Sequence, residues 1–103
     1  MYIFEQLGDN RDYESLTPTS ATGFTASKYA PGTGDQLKAK AVQICPESNV
    51  IRLRMDGTDP TATEGIKVEV TEKYLIIGTE NIVNFRCIDT GDGASTVKCL
   101  FFY

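Results

Sequence analysis

The stretch IKVEV, residues 66–70, decides the fold because its apolar side chains alternate with Lys67 and Glu69. A period of two is typical of a β-strand with one buried face and one solvated face. Similar runs lie on both sides of this stretch, and none has the spacing of an amphipathic helix. Further strands are predicted at residues 2–7, 37–44, 50–55, 74–77, 82–88 and 96–103. The sequence therefore predicts an all-β fold, a small antiparallel β-sandwich or barrel of about six to eight short strands.

Two pairs of these strands are predicted as hairpins. Residues 37–44 are followed by Pro46, which is expected to end the strand, and a short connection leads to residues 50–55. Strands joined by so short a link usually pair in antiparallel fashion. The last two strands are joined by TGDGAS, residues 90–95, whose Asp-Gly pair suits the positive φ values of a tight turn.

The last strand is apolar on both faces. One face carries Val97, Cys99, Phe101 and Tyr103, and the other carries Lys98, Leu100 and Phe102. A strand with only one buried face would alternate apolar and polar residues, so a second layer or a partner protein is expected to cover the outer face.

The chain is long enough for one domain with one hydrophobic core, so residues 1–103 are predicted to form a single domain. Residues 1–36 are rich in Thr, Ser, Gly and Pro and are predicted to be irregular or extended, with turns at 17–25 and 30–35. This segment is either an arm that lies on a neighbouring protein or an irregular stretch packed on its own domain. Residues 37–103 are predicted to form the β-sandwich core.

Charge and hydropathy exclude several partners. The formal net charge is −4, whereas a protein that binds nucleic acid needs a basic patch. Arg52 and Arg54 come closest to such a patch, and they are read as a solvated or interface face of one strand. No apolar run approaches the roughly 20 residues that span a bilayer, and the first residues do not resemble a signal peptide. The sequence predicts a protein made in the cytoplasm that binds neither nucleic acid nor membrane.

Catalytic side chains are scarce in this chain. There is no histidine, which removes the usual catalytic triads and most zinc sites. Cys45, Cys87 and Cys99 are too far apart for a metal or redox motif, and they are predicted to be reduced residues of the core. No phosphate-binding loop motif occurs. The protein is therefore predicted to be no enzyme and to need no cofactor.

The most distinctive segment is DGTDPTATEG at residues 56–65, called the 56–65 loop below. Asp56, Asp59 and Glu64 offer hard oxygen ligands of the kind that bind calcium. Their spacing is not that of an EF-hand, and Asp residues in turns commonly accept hydrogen bonds from nearby backbone amides. A structural turn is favoured over a metal site, and the same interpretation applies to Asp89 and Asp92.

The sequence from Arg54 through the 56–65 loop resembles a recurring element of small structural proteins of tailed bacteriophages, in which Asp-Gly-Thr-x-Pro-Thr-Ala-Thr-x-Gly follows a strand that carries an Arg. Residues 81–88 (NIVNFRCI) and 97–103 (VKCLFFY) match later pieces of the same pattern. The resemblance covers roughly the last two thirds of the chain. It implies a β-sandwich virion component, either a capsid cement or decoration protein bound to major capsid protein or a neck or tail component. It also implies a homo-oligomer located in the virion and assembled in the bacterial cytoplasm.

Candidate interaction residues are the aromatic residues of the two ends and the polar residues around the loop. They are Tyr2, Phe4, Phe24, Tyr29, Arg52, Arg54, Asp56, Asp59, Phe101, Phe102 and Tyr103. The Tyr and Phe content leaves open a different function, a fibre-associated domain that binds carbohydrate or a receptor. A metal-dependent or hydrolytic enzyme is a third hypothesis, motivated only by the carboxylates of the 56–65 loop.

Overall fold

The computed structural model of the protein describes residues 10–30, 38–91 and 93–103. The strands are β1 (Asn10–Leu16), β2 (Ala41–Glu47), β3 (Ile51–Arg54), β4 (Ile66–Val68), β5 (Tyr74–Ile77), β6 (Arg86–Asp89) and β7 (Thr96–Phe102). The two short helices are α1 (Ala26–Tyr29) and α2 (Thr79–Asn84). The predicted all-β class is confirmed. No described helix is long and apolar enough to cross a membrane.

The strands form two antiparallel sheets. The larger sheet has the order β1-β7-β2-β5, and the smaller has the order β4-β3-β6. The sheets do not close into a barrel, so the sandwich alternative of the prediction is correct. The face of the larger sheet that points away from the smaller one is called the outer face below.

The core lies between the sheets and is filled by the period-two positions of the strands. Val42 lies opposite Phe101, and Ile44 lies opposite Cys99, in the larger sheet. The smaller sheet contributes other fully buried side chains, namely Ile51, Leu53, Val68 and Cys87. Two of the three cysteines are thus core residues, as predicted, and Cys45 is half-buried.

Neither predicted hairpin forms, because the strands of each pair belong to different sheets. β2 pairs with β5 and β7, whereas β3 pairs with β4 and β6. The link between β2 and β3 turns at Ser48, whose φ is 76°. Buried Ser95 lies in the link between β6 and β7, and its hydroxyl donates to the carbonyls of Glu47 (3.0 Å) and Asn49 (2.6 Å). Both short links therefore cross side by side from one sheet to the other. Of the turn predicted there, Asp92 lies outside the described residues.

Pro46 does not end its strand, contrary to the prediction. It lies inside β2 opposite Val97, and its side chain is fully buried. The Lys40 carbonyl, just before β2, accepts the Gly78 amide and so faces β5. Every second residue after Lys40 has the same orientation, so the backbone of Pro46 also faces the β5 side. Pairing with β5 ends at Ile44, so the missing N–H of Pro46 removes no ladder hydrogen bond.

The strand predicted at residues 82–88 is also wrong in part. Its first residues belong to α2, which follows Gly78 at a φ of 104°, and only Arg86–Asp89 forms β6. The helix buries Ile82 completely while Val83 stays exposed. One β-branched side chain of this short helix therefore packs in the core. A single buried residue does not produce a periodic pattern in the sequence, so the helix is not predicted.

Residues 10–30, the described part of the N-terminal segment, contain more regular structure than predicted. β1 is a full edge strand of the larger sheet, and Phe24 enters the core, where its ring stacks on Phe85 at 4.2 Å between centroids. The segment after β1 has little regular structure, as expected, apart from α1 and a bridge between Thr22 and Cys87. These residues pack on their own domain. The predicted strand at 2–7 and most of the turn at 30–35 lie outside the described residues.

Candidate functional site

The 56–65 loop connects β3 to β4 and is held by two arginines of β3. Arg52 alternates with the buried residues of β3, so it lies on the face away from the core. Its Nε donates to the carbonyl of Ala62 at 3.1 Å, and its Nη1 donates to the carbonyl of Gly65 at 3.0 Å. The guanidinium therefore ties the returning half of the loop to the strand from which the loop departs.

Arg54 holds the departing half of the loop through a carboxylate. Its Nε donates to Oδ1 of Asp56 at 3.0 Å, and its Nη2 donates to Oδ2. The amide of Thr58 donates to the same Oδ1 at 3.3 Å. These bonds favour the ionised carboxyl, with that from Arg54 strongest, and hold the pKa of Asp56 at about 2. The same pair raises the pKa of Arg54.

The tip of the loop is closed by its own polar groups. The amide of Thr61 donates to the carbonyl of Glu64 at 2.9 Å. The Thr61 hydroxyl oxygen accepts from the amides of Thr63 at 3.3 Å and Glu64 at 3.0 Å. Pro60 is buried and anchors the loop to the domain. The polar composition of the segment thus encodes a defined shape, in line with its interpretation as a structural turn.

Gly65 ends the loop in a conformation that other residues rarely adopt. Its φ is 131°, and a Cβ at this position would lie 2.9 Å from the carbonyl oxygen of Leu53. Gly57 also has a positive φ, 87°, but a Cβ there would meet nothing within 4 Å. Gly65 is therefore required both by conformation and by close packing, and Gly57 by conformation alone.

An open groove of about 460 Å³ lies where the loop meets the sheet. It is lined by Leu53, Arg54, Met55, Asp56, Glu64, Gly65 and Ile66. Ile66 is 56% exposed, so the groove combines an apolar wall with the charged pair of Arg54 and Asp56. A groove of this kind can receive a side chain from another protein.

The carboxylates that were weighed as metal ligands do not form a cluster among the described residues. Both oxygens of Asp56 bind Arg54, and the carboxylate of Asp89 accepts the amide of Gly91 at 3.1 Å. Asp59 is exposed at the tip of the loop. In the part of the chain that the structure describes, no three Cys, Asp or Glu side chains are placed to hold a metal ion.

Most of the aromatic interaction candidates are buried or half-buried. Phe24, Phe101 and Phe102 are buried, and Tyr29 and Tyr103 are half-buried against the core. The Tyr103 hydroxyl donates to the carbonyl of Lys28. These side chains are therefore held within the domain. Tyr2 and Phe4 lie outside the described residues.

The outer face carries a second, smaller apolar cluster. Ala41 and Phe102 are its buried members, and Leu75 and Leu100 pack against them. The large apolar side chains that are exposed in the described ranges are a set that sequence reasoning missed. They are Tyr13, Ile66, Val70, Ile77 and Val83. In the IKVEV stretch the alternation assigned Ile66 and Val70 to a buried face, but β4 ends at Val68, and only that residue reaches the core.

The two core cysteines have unreactive surroundings. Burial raises the pKa of the Cys87 thiol to about 12 and also raises the pKa of Cys99. A thiol nucleophile reacts as the thiolate, which these pKa values disfavour at neutral pH.

Comparisons with protein families, with curated proteins and with solved structures find no match to this chain.

Proposed function

We propose that this protein is a non-enzymatic structural component of a phage virion, a capsid cement or decoration protein that binds the major capsid protein. The observation that carries the proposal is the internal bracing of the 56–65 loop. Arg52, Arg54 and Thr61 hold the loop in one shape, while most of its side chains face solvent. A loop ordered before binding loses little conformational entropy when a partner docks on it.

The charges of the loop indicate the chemistry of the partner surface. Asp59 and Glu64 are exposed and lie in no salt bridge within the described part of the chain, although the charge of Glu64 helps to raise the pKa of Arg54. Asp56 is occupied by Arg54. The partner is expected to present Lys or Arg to the carboxylates of Asp59 and Glu64 and an apolar side chain to the groove beside Ile66.

The location in a virion is supported by the resemblance of residues 54–65, 81–88 and 97–103 to phage structural proteins. A cement protein needs no active site, since many symmetric copies on a shell strengthen weak individual contacts. Carbohydrate binding has less support, because Tyr13 is the one exposed large aromatic side chain among the described residues.

The copy number per particle tests the location. Quantitative mass spectrometry of purified particles is expected to find hundreds of copies for a cement protein. About a dozen copies or fewer would move the protein to the neck or tail. Complete absence from particles would refute the virion assignment.

Charge reversal at the loop tip tests the binding surface. Asp59→Lys is expected to weaken binding to purified capsid shells by at least about tenfold, because it opposes the basic partner surface. It should leave thermal stability unchanged, since Asp59 is exposed. Glu80→Lys makes the same charge change at an exposed position of α2 and is the matched control. Equal binding by both variants would exclude the loop tip from the interface.

A further inference from the structure

Each sheet has two edge strands, and the hydrogen bonds show how the chain treats each edge. At β6 the edge is covered by the segment after β1. Cys87 exchanges two backbone bonds of 2.9 Å with Thr22, and the amide of Asp89 donates to the carbonyl of Pro18 at 2.9 Å. This edge offers little to another chain.

At β4 the edge is nearly closed by side chains. The amide of Glu69 donates to Oε1 of Glu72 at 3.0 Å, the amide of Glu72 donates back to the Glu69 carbonyl at 3.1 Å, and Arg52 occupies the carbonyl of Gly65. Every second residue of the strand directs its backbone groups outward. Between Gly65 and Glu69, only the amide and carbonyl of Lys67 therefore remain open to another chain.

At β1 the edge is protected by charge. The outward amide of Tyr13 donates to Oδ1 of Asp12 at 2.8 Å. Asp12 and Glu14 lie opposite Phe101 and Cys99, so these two carboxylates point to the inner side of the sheet. There Asp12 pairs with Lys28 at 3.0 Å, and Glu14 accepts the amide of Thr25 at 3.1 Å. Inward-pointing charged residues are a recognised way to prevent strand addition at an edge.

At β5 the edge is open. Successive residues of β5 direct their backbone groups alternately toward β2 and away from it. Because the Gly78 amide bonds the Lys40 carbonyl of the β2 side, Tyr74 and Ile76 also bond β2, and the backbone groups of Leu75 and Ile77 face outward. The Ile77 carbonyl accepts from Nδ2 of Asn81 at 2.9 Å. Within the described residues, the amide and carbonyl of Leu75 and the amide of Ile77 have no hydrogen-bond partner. The strand carries no charge, and Ile77 is 50% exposed.

We propose that β5 is the docking site for a second copy of this chain, paired antiparallel about a two-fold axis at Leu75. In this register Leu75 exchanges both backbone bonds with Leu75 of the second copy. The amide of Ile77 then donates to the carbonyl of Lys73 of the second copy, and the reverse bond follows by symmetry. The unpaired backbone groups of β5 in one copy are thus complementary to the same groups of β5 in the second copy. This favours an isologous dimer over an unrelated partner.

The pairing also explains the exposed apolar residues at this edge. Leu75 and Ile77 lie on the outer face, in line with Leu100 and Ala41 of the neighbouring strands. Joining two copies extends this face into one continuous surface and places each Ile77 across from the aliphatic stem of Lys73 of the second copy.

The register predicts opposite results for two substitutions at one exposed position. Ile77→Glu places a carboxylate opposite Lys73 of the second copy, whereas Ile77→Lys places two ammonium groups together. In sedimentation equilibrium at low salt, the wild type is expected to dimerise reversibly. The Kd of Ile77→Lys is expected to exceed that of Ile77→Glu by at least about tenfold. Tyr13→Lys, at the opposite edge of the outer face, should dimerise like the wild type. A wild type that stays monomeric at millimolar concentration, or equal loss in both Ile77 variants, would overturn the proposal.

A second pair of variants tests the two-fold axis itself. Leu75→Lys and Leu75→Glu each place like charges face to face, so each alone is expected to be monomeric. A mixture of the two should form a heterodimer, which a folding defect in either variant would not produce. Two monomeric, folded variants whose mixture does not associate would place the axis elsewhere and refute this register.

Discussion

The 56–65 loop and strand β5 satisfy their backbone polar groups in opposite ways. The loop is polar and exposed, yet several of its amides and carbonyls are bound by Arg52, Thr61 and Asp56. β5 is a regular apolar strand, yet Leu75 directs outward an amide and a carbonyl that bond no other residue in the described part of the chain. Secondary structure alone therefore does not tell which segment has its backbone hydrogen bonds satisfied. The loop presents fixed side chains to a partner, whereas the strand presents its backbone.

The largest expected effect comes from removing the glycine that closes the loop. Gly65→Ala combines a φ of 131° with a Cβ placed 2.9 Å from the Leu53 carbonyl oxygen, so we expect destabilisation on the order of 3 kcal/mol. Gly57→Ala is the control, since it meets no neighbour and should destabilise by only about 1 kcal/mol. Urea denaturation measures both values. Equal losses would mean that the loop shifts freely at Gly65 and is not braced there.

A smaller effect is expected at Arg52. Lysine keeps the charge but has no planar fork, so Arg52→Lys cannot hold the carbonyls of Ala62 and Gly65 together. We expect a loss of about 1 kcal/mol in the free energy of unfolding and faster hydrogen exchange at the Thr61 and Glu64 amides. β5 should be unaffected. Unchanged exchange in the loop would show that the guanidinium does not brace it.

The smallest effect is a shift in titration. The pKa of Asp56 lies at about 2 in the folded protein, below its usual value of 3.8, so the pair with Arg54 stabilises the fold above the usual pKa. That contribution is lost as the pH falls through the folded pKa, between about pH 4 and 2. Carboxyl NMR titration of Arg54→Gln should move the Asp56 midpoint up toward 3.8. A midpoint that does not move would assign the low pKa to the Thr58 amide instead.

Several strands follow directly from the sequence. β3, β5 and β7 were predicted within a few residues, because period-two alternation reflects the two faces of a strand whatever its partners are. Their pairing does not follow from the sequence, because short links of this kind are typical of hairpins. The links at Ser48 and Ser95 cross between sheets, and the side-by-side hydrogen bonds that stabilise them join residues 46 positions or more apart. No local pattern carries that information.

The sequence predicts that the 56–65 loop has a defined shape, but it does not predict which bonds hold that shape. The turn-forming residues of the 56–65 loop indicated a defined shape, which the Thr61 and Asp56 bonds provide. The role of Arg52 depends on where the loop returns to the strand, which the sequence does not fix. The open edge of β5 was missed for the same reason, since an edge exists only once the order β1-β7-β2-β5 is known.

Amide hydrogen exchange at two concentrations tests the contrast between the two regions most directly. The Thr61 and Glu64 amides, in the exposed loop, are predicted to exchange slowly at every concentration because they bond within the loop. The Leu75 amide is predicted to exchange rapidly in dilute protein, although it lies in a strand, and to slow as the second copy docks. Rapid exchange throughout the loop, together with a Leu75 amide protected in dilute protein, would contradict both the braced loop and the open edge.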